Sequence, residues 1–158
     1  MLNFSVIIPC YRDEEALECL ITQLHFLPCK PYEIVVVDGA VSKTCRVLCH
    51  QKKVRWLASE PCRGQQLLSG AASAKGDVLW FLHADTRLPP DPLSAMWGAI
   101  KQGAIGGYFR FSFDMPRDWP VNILEPAIAL RCRIGVPYGD QGLFVVRKFY
   151  HQAGGHAP

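Results

Sequence analysis

The sequence predicts an α/β fold with a mostly parallel central sheet and helices on both faces. Three observations carry that prediction. Short continuous apolar runs rich in β-branched residues recur at positions 4–9 (FSVIIP), 33–38 (EIVVVD) and 77–82 (DVLWFL), as in strands covered on both sides rather than one. Segments with helical spacing stand between these runs, and such alternation calls for parallel strands joined by crossover helices. The chain has 158 residues, 49% hydrophobic and 20% charged, which suits one globular domain and excludes intrinsic disorder, a collagen-like repeat and a coiled coil.

Taken in order, residues 4–9 form the first, central strand. Asp13 is placed to cap a helix whose first turn holds Glu14 and Glu15, and Leu17, Leu20, Ile21, Leu24 and Leu27 recur at helical spacing until Pro28 stops it. Residues 33–38 repeat the strand pattern, 42–51 predict a second helix, and 54–58 a short strand. Alanine-rich residues 65–75 predict a helix ending at Gly76 as a glycine cap, and 77–82 are the next buried strand. Pro89, Pro90 and Pro92 around Asp91 open a further helix with Leu93, Met96, Trp97 and Ile100 as its apolar stripe. Over residues 104–113, Tyr108, Arg110 and Ser112 alternate with Phe109, Phe111 and Phe113, which predicts a half-exposed antiparallel strand. Residues 114–120 read as a loop, 121–132 as an amphipathic helix interrupted at Pro126, and 142–146 as a last strand.

Charge and cysteine usage narrow the function. A net charge of +3, from 17 basic and 14 acidic residues, is too small and scattered to argue for nucleic acid, yet compatible with a phosphate-bearing ligand. No apolar window reaches the length of a membrane span, and the opening run lacks a basic leader and a cleavage site, so the expected location is cytoplasmic, with peripheral membrane contact left open. Seven cysteines without CxxC pairs fit reduced thiols. Cys45, Cys49 and His50 have the spacing of half a metal site, but small hydrophobes on a buried helix face explain the same pattern.

In an open parallel sheet ligands bind beyond the carboxyl ends of the strands, near the switch in strand order. The second strand ends at Asp38, and Asp85 lies just past the fourth in the run LHADT, so both carboxylates belong to one rim. Pro9, Tyr11, Arg12 and Glu14 follow the first strand, and Arg63 opens a helix whose first amides are available to an anion. Such a rim suits a nucleoside diphosphate. A divalent cation bridging its phosphates needs oxygen ligands, for which Asp85 is the candidate, and His83 would add a nitrogen more readily to Mn2+ than to Mg2+. Asp38 is placed to accept hydrogen bonds from a ribose or pyrimidine, and Tyr11 to stack on a base. The plainer readings are a solvated or capping Asp85, a turn-forming Asp38 and an ordinary rim aromatic at Tyr11.

The runs SVIIPCYRDE, EIVVVDG, RGQQLLSGAASAKGDVLWFLHADT, PYGDQGLFVVRK and QAGG together resemble the family 2 glycosyltransferases of the GT-A fold, and most of all the short branch of radical-SAM and selenodomain associated transferases. The resemblance spans nearly the whole chain, with LHADT and GDQGLFVVR its most specific parts. It implies that HAD replaces the family's DXD motif, so that Asp85 binds metal and diphosphate. It also implies that Asp38 and Arg63 contact the nucleoside and that Pro9, Tyr11 and Glu14 line its pocket. Two departures stand out. Leu68 occupies a helix position where an asparagine is usual, and the acidic motif beyond the Gly-Gly turn that supplies the usual base does not follow Gly154 and Gly155. The expectation is therefore a single glycosyltransferase-like domain over 1–158 lacking the C-terminal part of the family fold, with Asp140 the one residue placed to serve as base. The expected activity is metal-dependent, inverting transfer of a sugar from a nucleotide donor to an acceptor that the sequence does not name. A nucleotidyltransferase and a non-catalytic nucleotide- or partner-binding protein stay as alternatives, while the missing GxGxxG argues against a dehydrogenase.

Overall fold

A computed structural model of the chain describes residues 2–109 and 142–156. Among these residues six strands form one sheet: β1 (Phe4–Cys10), β2 (Glu33–Asp38), β3 (Arg55–Ala58), β4 (Val78–Phe81), β5 (Gly106–Gly107) and β6 (Phe144–Val146). Their order is β3-β2-β1-β4-β6-β5. The pairs β1–β2, β1–β4 and β2–β3 are parallel, while β6 runs antiparallel to β4 and β5. The chain steps outward from β1 through β2 to β3, then returns to lay β4 on the other side of β1. That reversal puts the crevice at the carboxyl ends of β1 and β4.

Helices α1 (Glu14–Phe26), α2 (Lys43–Gln51), α3 (Arg63–Ser73), α4 (Pro92–Lys101) and α5 (Arg147–Gln152) cover both faces. The period-two pleat sorts the strand side chains into two cores. Val6, Ile8, Val36, Val78 and Trp80 face α1, α2 and α4, whereas Ile7, Val35, Val37, Leu79 and Phe81 face α3 and Tyr150 of α5. On α1 the buried residues are Leu17, Leu20, Ile21 and Leu24, the i, i+3, i+4, i+7 stripe of an amphipathic helix. Each such side chain contributes about 1.5–3 kcal/mol when fully buried.

The predicted strands 4–9, 33–38, 54–58 and 77–82 match β1 to β4 within a residue at either end. Three local expectations need correction. Asp13 holds the N-cap position of α1 without a side-chain cap hydrogen bond; the caps are made instead by Ser42 on α2 and Asp91 on α4. Gly76 does not cap α3, which ends at Ser73 with Ala74 as its C-cap. Its reason is a close approach, since a Cβ there would lie 2.6 Å from Ser5 Oγ and 2.7 Å from the Asn3 carbonyl oxygen. Helix α5 directly continues β6 and was not expected. Of the half-exposed strand predicted over 104–113, residues 104–109 are described; only Gly106–Gly107 among them is strand, and it is antiparallel as expected. The loop over 114–120 and the helix over 121–132 lie outside the described residues. Among the described residues no helix is long and apolar enough to cross a membrane.

Candidate functional site

The rim at the carboxyl ends of the strands stands on a buried polar frame. Asp38 ends β2 and is 1% exposed. Its Oδ1 accepts from the Ala40 amide at 2.9 Å, and its Oδ2 accepts from the Ser42 amide at 2.8 Å and the Trp56 indole at 3.2 Å. These bonds fold the β2–α2 loop into a turn and tie it to β3, as an Asp before glycine does. Ser42 Oγ in turn accepts from the Cys45 amide and donates to Glu14 Oε1 at 2.6 Å, which joins the first turns of α1 and α2. Gln66 on α3, which sequence reasoning passed over, is 4% exposed. Its amide donates to the carbonyls of Cys10 at 2.9 Å and Val37 at 2.8 Å, clamping the ends of β1 and β2 together. Nothing in RGQQLL distinguishes Gln66 from Gln65 before the sheet is in place.

Above this frame the side chains turn outward. Tyr11 is 51% exposed, and the Arg12 guanidinium lies 5.3 Å from its ring centroid. Arg12 (φ 54°) and Val41 (φ 51°) both adopt the left-handed conformation, which for a β-branched residue is a genuine outlier. Lys53 also has φ 56°, but there the Val54 and Lys53 amides bond back to Cys49 and His50 in an ordinary helix-terminating motif. Strain unexplained by a helix cap therefore gathers at the rim, where functional loops commonly hold it.

Beyond β4, the His83 amide donates to Thr86 Oγ1 and the Thr86 amide to the His83 carbonyl, so this short turn presents Asp85 on the surface. Arg63, the first residue of α3, donates from Nη2 to His83 Nε2. A guanidinium only donates, so Nε2 is the unprotonated nitrogen of that imidazole. Strands β1, β2 and β4 and the start of α3 thus bring Pro9, Tyr11, Asp38, Arg63, His83 and Asp85 to one end of the sheet. Within it Arg63 meets His83, while Glu14 joins Asp38 through Ser42. Asp140 lies outside the described residues.

As a metal set these residues fit unequally. Asp85 offers an outward carboxylate, enough for a cation whose remaining ligands are phosphate oxygens and water. The Nε2 of His83 already accepts from Arg63, so its lone pair would reach an ion only after that guanidinium moves. Among the described residues no three His, Cys, Asp or Glu side chains form a metal cage. Cys45 and Cys49 are fully buried beside Cys10, while His50 is exposed. A hydrogen bond to Cys45, and then burial, drive the Cys10 thiol far above its ordinary range, so this cluster belongs to the core. A separate cleft of about 500 Å³ opens between α1 and α2. Of the rim residues only Glu14 lines it, and Glu15 and Glu18 beside Glu14 make it unfavourable for a diphosphate.

The chain matches the family described as Glycosyl transferase family 2 over residues 5–155. It is 31% identical over 113 residues to an undecaprenyl-phosphate 4-deoxy-4-formamido-L-arabinose transferase of Pectobacterium carotovorum subsp. carotovorum (strain PC1), covering 64% of this chain and 34% of the relative. It is 28% identical over 148 residues to a dolichol-phosphate mannosyltransferase of Pyrococcus furiosus, covering 86% and 42%. The chain therefore spans between a third and a half of the length of these curated relatives. Among solved structures it resembles a mannosyltransferase of Pyrobaculum calidifontis in complex with GDP-Man and Mn2+, with TM-score 0.74, 18% identity, and coverage of 98% of this chain and 47% of that one. It also resembles glucosyl-3-phosphoglycerate synthase of Mycobacterium tuberculosis in complex with Mn2+, UDP and glucosyl-3-phosphoglycerate, with TM-score 0.62, 16% identity, and coverage of 93% and 57%. At these identities the likeness establishes the fold, and it is the expected GT-A fold.

Proposed function

The chain belongs to glycosyl transferase family 2, and from that premise we propose that its carboxyl rim binds a nucleotide-sugar donor together with Mn2+ or Mg2+ and serves sugar transfer. One observation carries the reading. The switch point between β1 and β4 is where the fold gathers an exposed aromatic ring, a guanidinium at a helix start and an outward carboxylate. Tyr11 stacks on the base, Arg63 and the first amides of α3 meet the diphosphate, and Asp85 anchors the cation. Pro9 and Glu14 line the nucleoside pocket. Asp38 contributes as a positioning residue, because its carboxylate shapes the loop against which the nucleoside lies. The cation, when bound, offsets the charge that develops on the departing diphosphate.

Transfer by single displacement forms a bond between an acceptor oxygen and the anomeric carbon as the bond to the diphosphate breaks, which inverts that carbon. A base must take the acceptor's proton, and Asp140 is the residue assigned to that role. Relatives and neighbours of this chain are named for sugar transfer, and two of the neighbours hold a nucleotide or nucleotide sugar with Mn2+.

Titration calorimetry with UDP and GDP, each with Mn2+ and with chelator, tests the binding half. Metal-dependent affinity for one of them is expected, and no affinity for either would sink the reading. Product analysis tests the chemistry, since transfer releases a nucleoside diphosphate, whereas a nucleotidyltransferase would release pyrophosphate.

A further inference from the structure

His156 is outside every role assigned above, yet the fold brings it to the same rim. Gly154 and Gly155 follow α5 with φ of 85° and 74°, a pair of left-handed residues that reverses the chain. A Cβ on Gly155 would sit 3.1 Å from Leu68 of α3 and 3.2 Å from the Tyr150 ring, so the turn is pressed onto the α3 face of the sheet and a side chain there would be strained twice over. The reversal stacks the His156 imidazole edge-on against Phe81, the last residue of β4, with ring centroids 4.7 Å apart and planes at 75°. It is thereby held between the end of β4, just before the His83–Asp85 turn, and the helix that begins at Arg63.

The ring is also oriented. The His156 amide donates to Tyr150 Oη at 3.3 Å, and Oη lies 3.0 Å from His156 Nδ1. With the amide already donating to Oη, the phenol's own proton is available to Nδ1. When the phenol gives that proton to Nδ1, the imidazole proton sits on Nε2, the nitrogen that does not meet the phenol. Burial, and then the positive charge of Arg63, hold the imidazole below its ordinary pKa.

We infer that His156 is a donor-binding residue whose Nε2–H donates to a phosphate oxygen of the nucleoside diphosphate beside Arg63, with Tyr150 as its positioning residue. The inference rests on the nucleotide-sugar reading of the rim. A fixed Nε2–H donor placed near a guanidinium suits an anion better than a base or a ribose. The contact should therefore distinguish the diphosphate from the bare nucleoside.

Calorimetry on the full chain with Mn2+ tests this, comparing uridine with UDP or guanosine with GDP, whichever the parent binds. His156→Ala is expected to weaken the diphosphate by roughly ten- to hundredfold, as loss of a hydrogen bond to a charged group does, and to leave the nucleoside unchanged. His156→Gln, whose amide also donates, should recover most of the loss, and Tyr150→Phe should give a smaller one in the same direction. Thermal unfolding of each variant checks the fold. Equal weakening of nucleoside and diphosphate would mean a merely structural role and overturn the inference, as would unchanged diphosphate affinity in His156→Ala. A parent that binds neither diphosphate would overturn this inference and the nucleotide-sugar reading together, whereas a binding parent with an indifferent His156 would overturn this inference alone.

Discussion

At the amino ends of β1, β2 and β4 the polar groups are closed on one another, whereas at the carboxyl ends of the same strands a closed frame supports an outward-facing rim. Glu33 is the centre of the first arrangement. Its carboxylate accepts from Ser5 Oγ at 2.7 Å, the Lys75 amide at 2.5 Å and Arg55 Nη1 at 2.6 Å. Around it, Arg55 also donates to the Ser73 carbonyl, Gly76 donates to Ser5, and Asn3 and Asp77 exchange backbone and side-chain bonds. At the opposite end Asp38 and Gln66 form a comparable frame, but Tyr11, Arg63 and Asp85 stand exposed above it and Arg12 and Val41 are strained. The difference separates two tasks along one set of strands. One end fixes the fold, and the other keeps charge and aromatic surface available to a ligand.

If that division holds, damage to the amino end should cost stability without touching the rim. Glu33→Ala leaves the Ser5 and Lys75 donors without their acceptor, and the expected cost is about 2–3 kcal/mol, with the Arg55 contribution discounted because that side chain is partly solvated. Urea denaturation measures it, and nucleotide affinity should stay at the parental value. The same residue sets a pH dependence. Burial raises the Glu33 carboxyl, but its hydrogen bonds to Ser5, the Lys75 amide and Arg55 outweigh this and leave it below its ordinary value of 4.5. A depressed folded pKa contributes stability that is complete above about pH 4.5 and lost as the pH falls through the folded value. Unfolding free energies measured between pH 6 and 3 should decline in the parent, and decline less in Glu33→Gln.

The opposite pattern is expected at the rim. Tyr11→Ala should leave stability nearly unchanged, because the ring is half exposed, while weakening nucleotide binding by about 1–2 kcal/mol through lost stacking. Calorimetry with the bare nucleoside is the clean readout, since it omits the diphosphate contacts. A Tyr11 variant that loses stability but not affinity would erase the distinction between the two ends. A smaller change sharpens it. Asparagine tolerates the left-handed conformation that valine resists, so Val41→Asn should raise stability by about 0.5–1 kcal/mol, read as a small rise in melting temperature.

The stable end and the sheet were largely legible in the sequence, for a reason visible in β1 to β4. Three continuous apolar runs, at β1, β2 and β4, are a strong local signal, and the strand order brings their ends together whatever the loops do. The rim was legible as a location, because Tyr11, Asp38 and Asp85 sit at or just past the end of a strand and Arg63 at a helix start. Their division of labour was not. The inward orientation of Asp38 depends on the amides of Ala40 and Ser42 and the indole of Trp56 closing around it, and only the folded loop brings those three together. The clamp made by Gln66 and the position of His156 are tertiary in the same way, since one spans two strands and the other depends on two glycines reversing the chain over Tyr150. Helix α5 was missed because its six residues are too few to display a 3.6-residue period.

The claim that the carboxyl rim is a metal-assisted diphosphate site turns most directly on Asp85. The decisive measurement is the affinity of UDP or GDP for the parent and for Asp85→Asn, each with Mn2+ and with chelator, alongside the melting temperature of both proteins. The parent should bind more tightly with Mn2+, and Asp85→Asn should show the same weak affinity in either condition at an unchanged melting temperature, because Asp85 is exposed on its turn. A variant that kept the full enhancement by Mn2+ would contradict the account and move the cation away from Asp85.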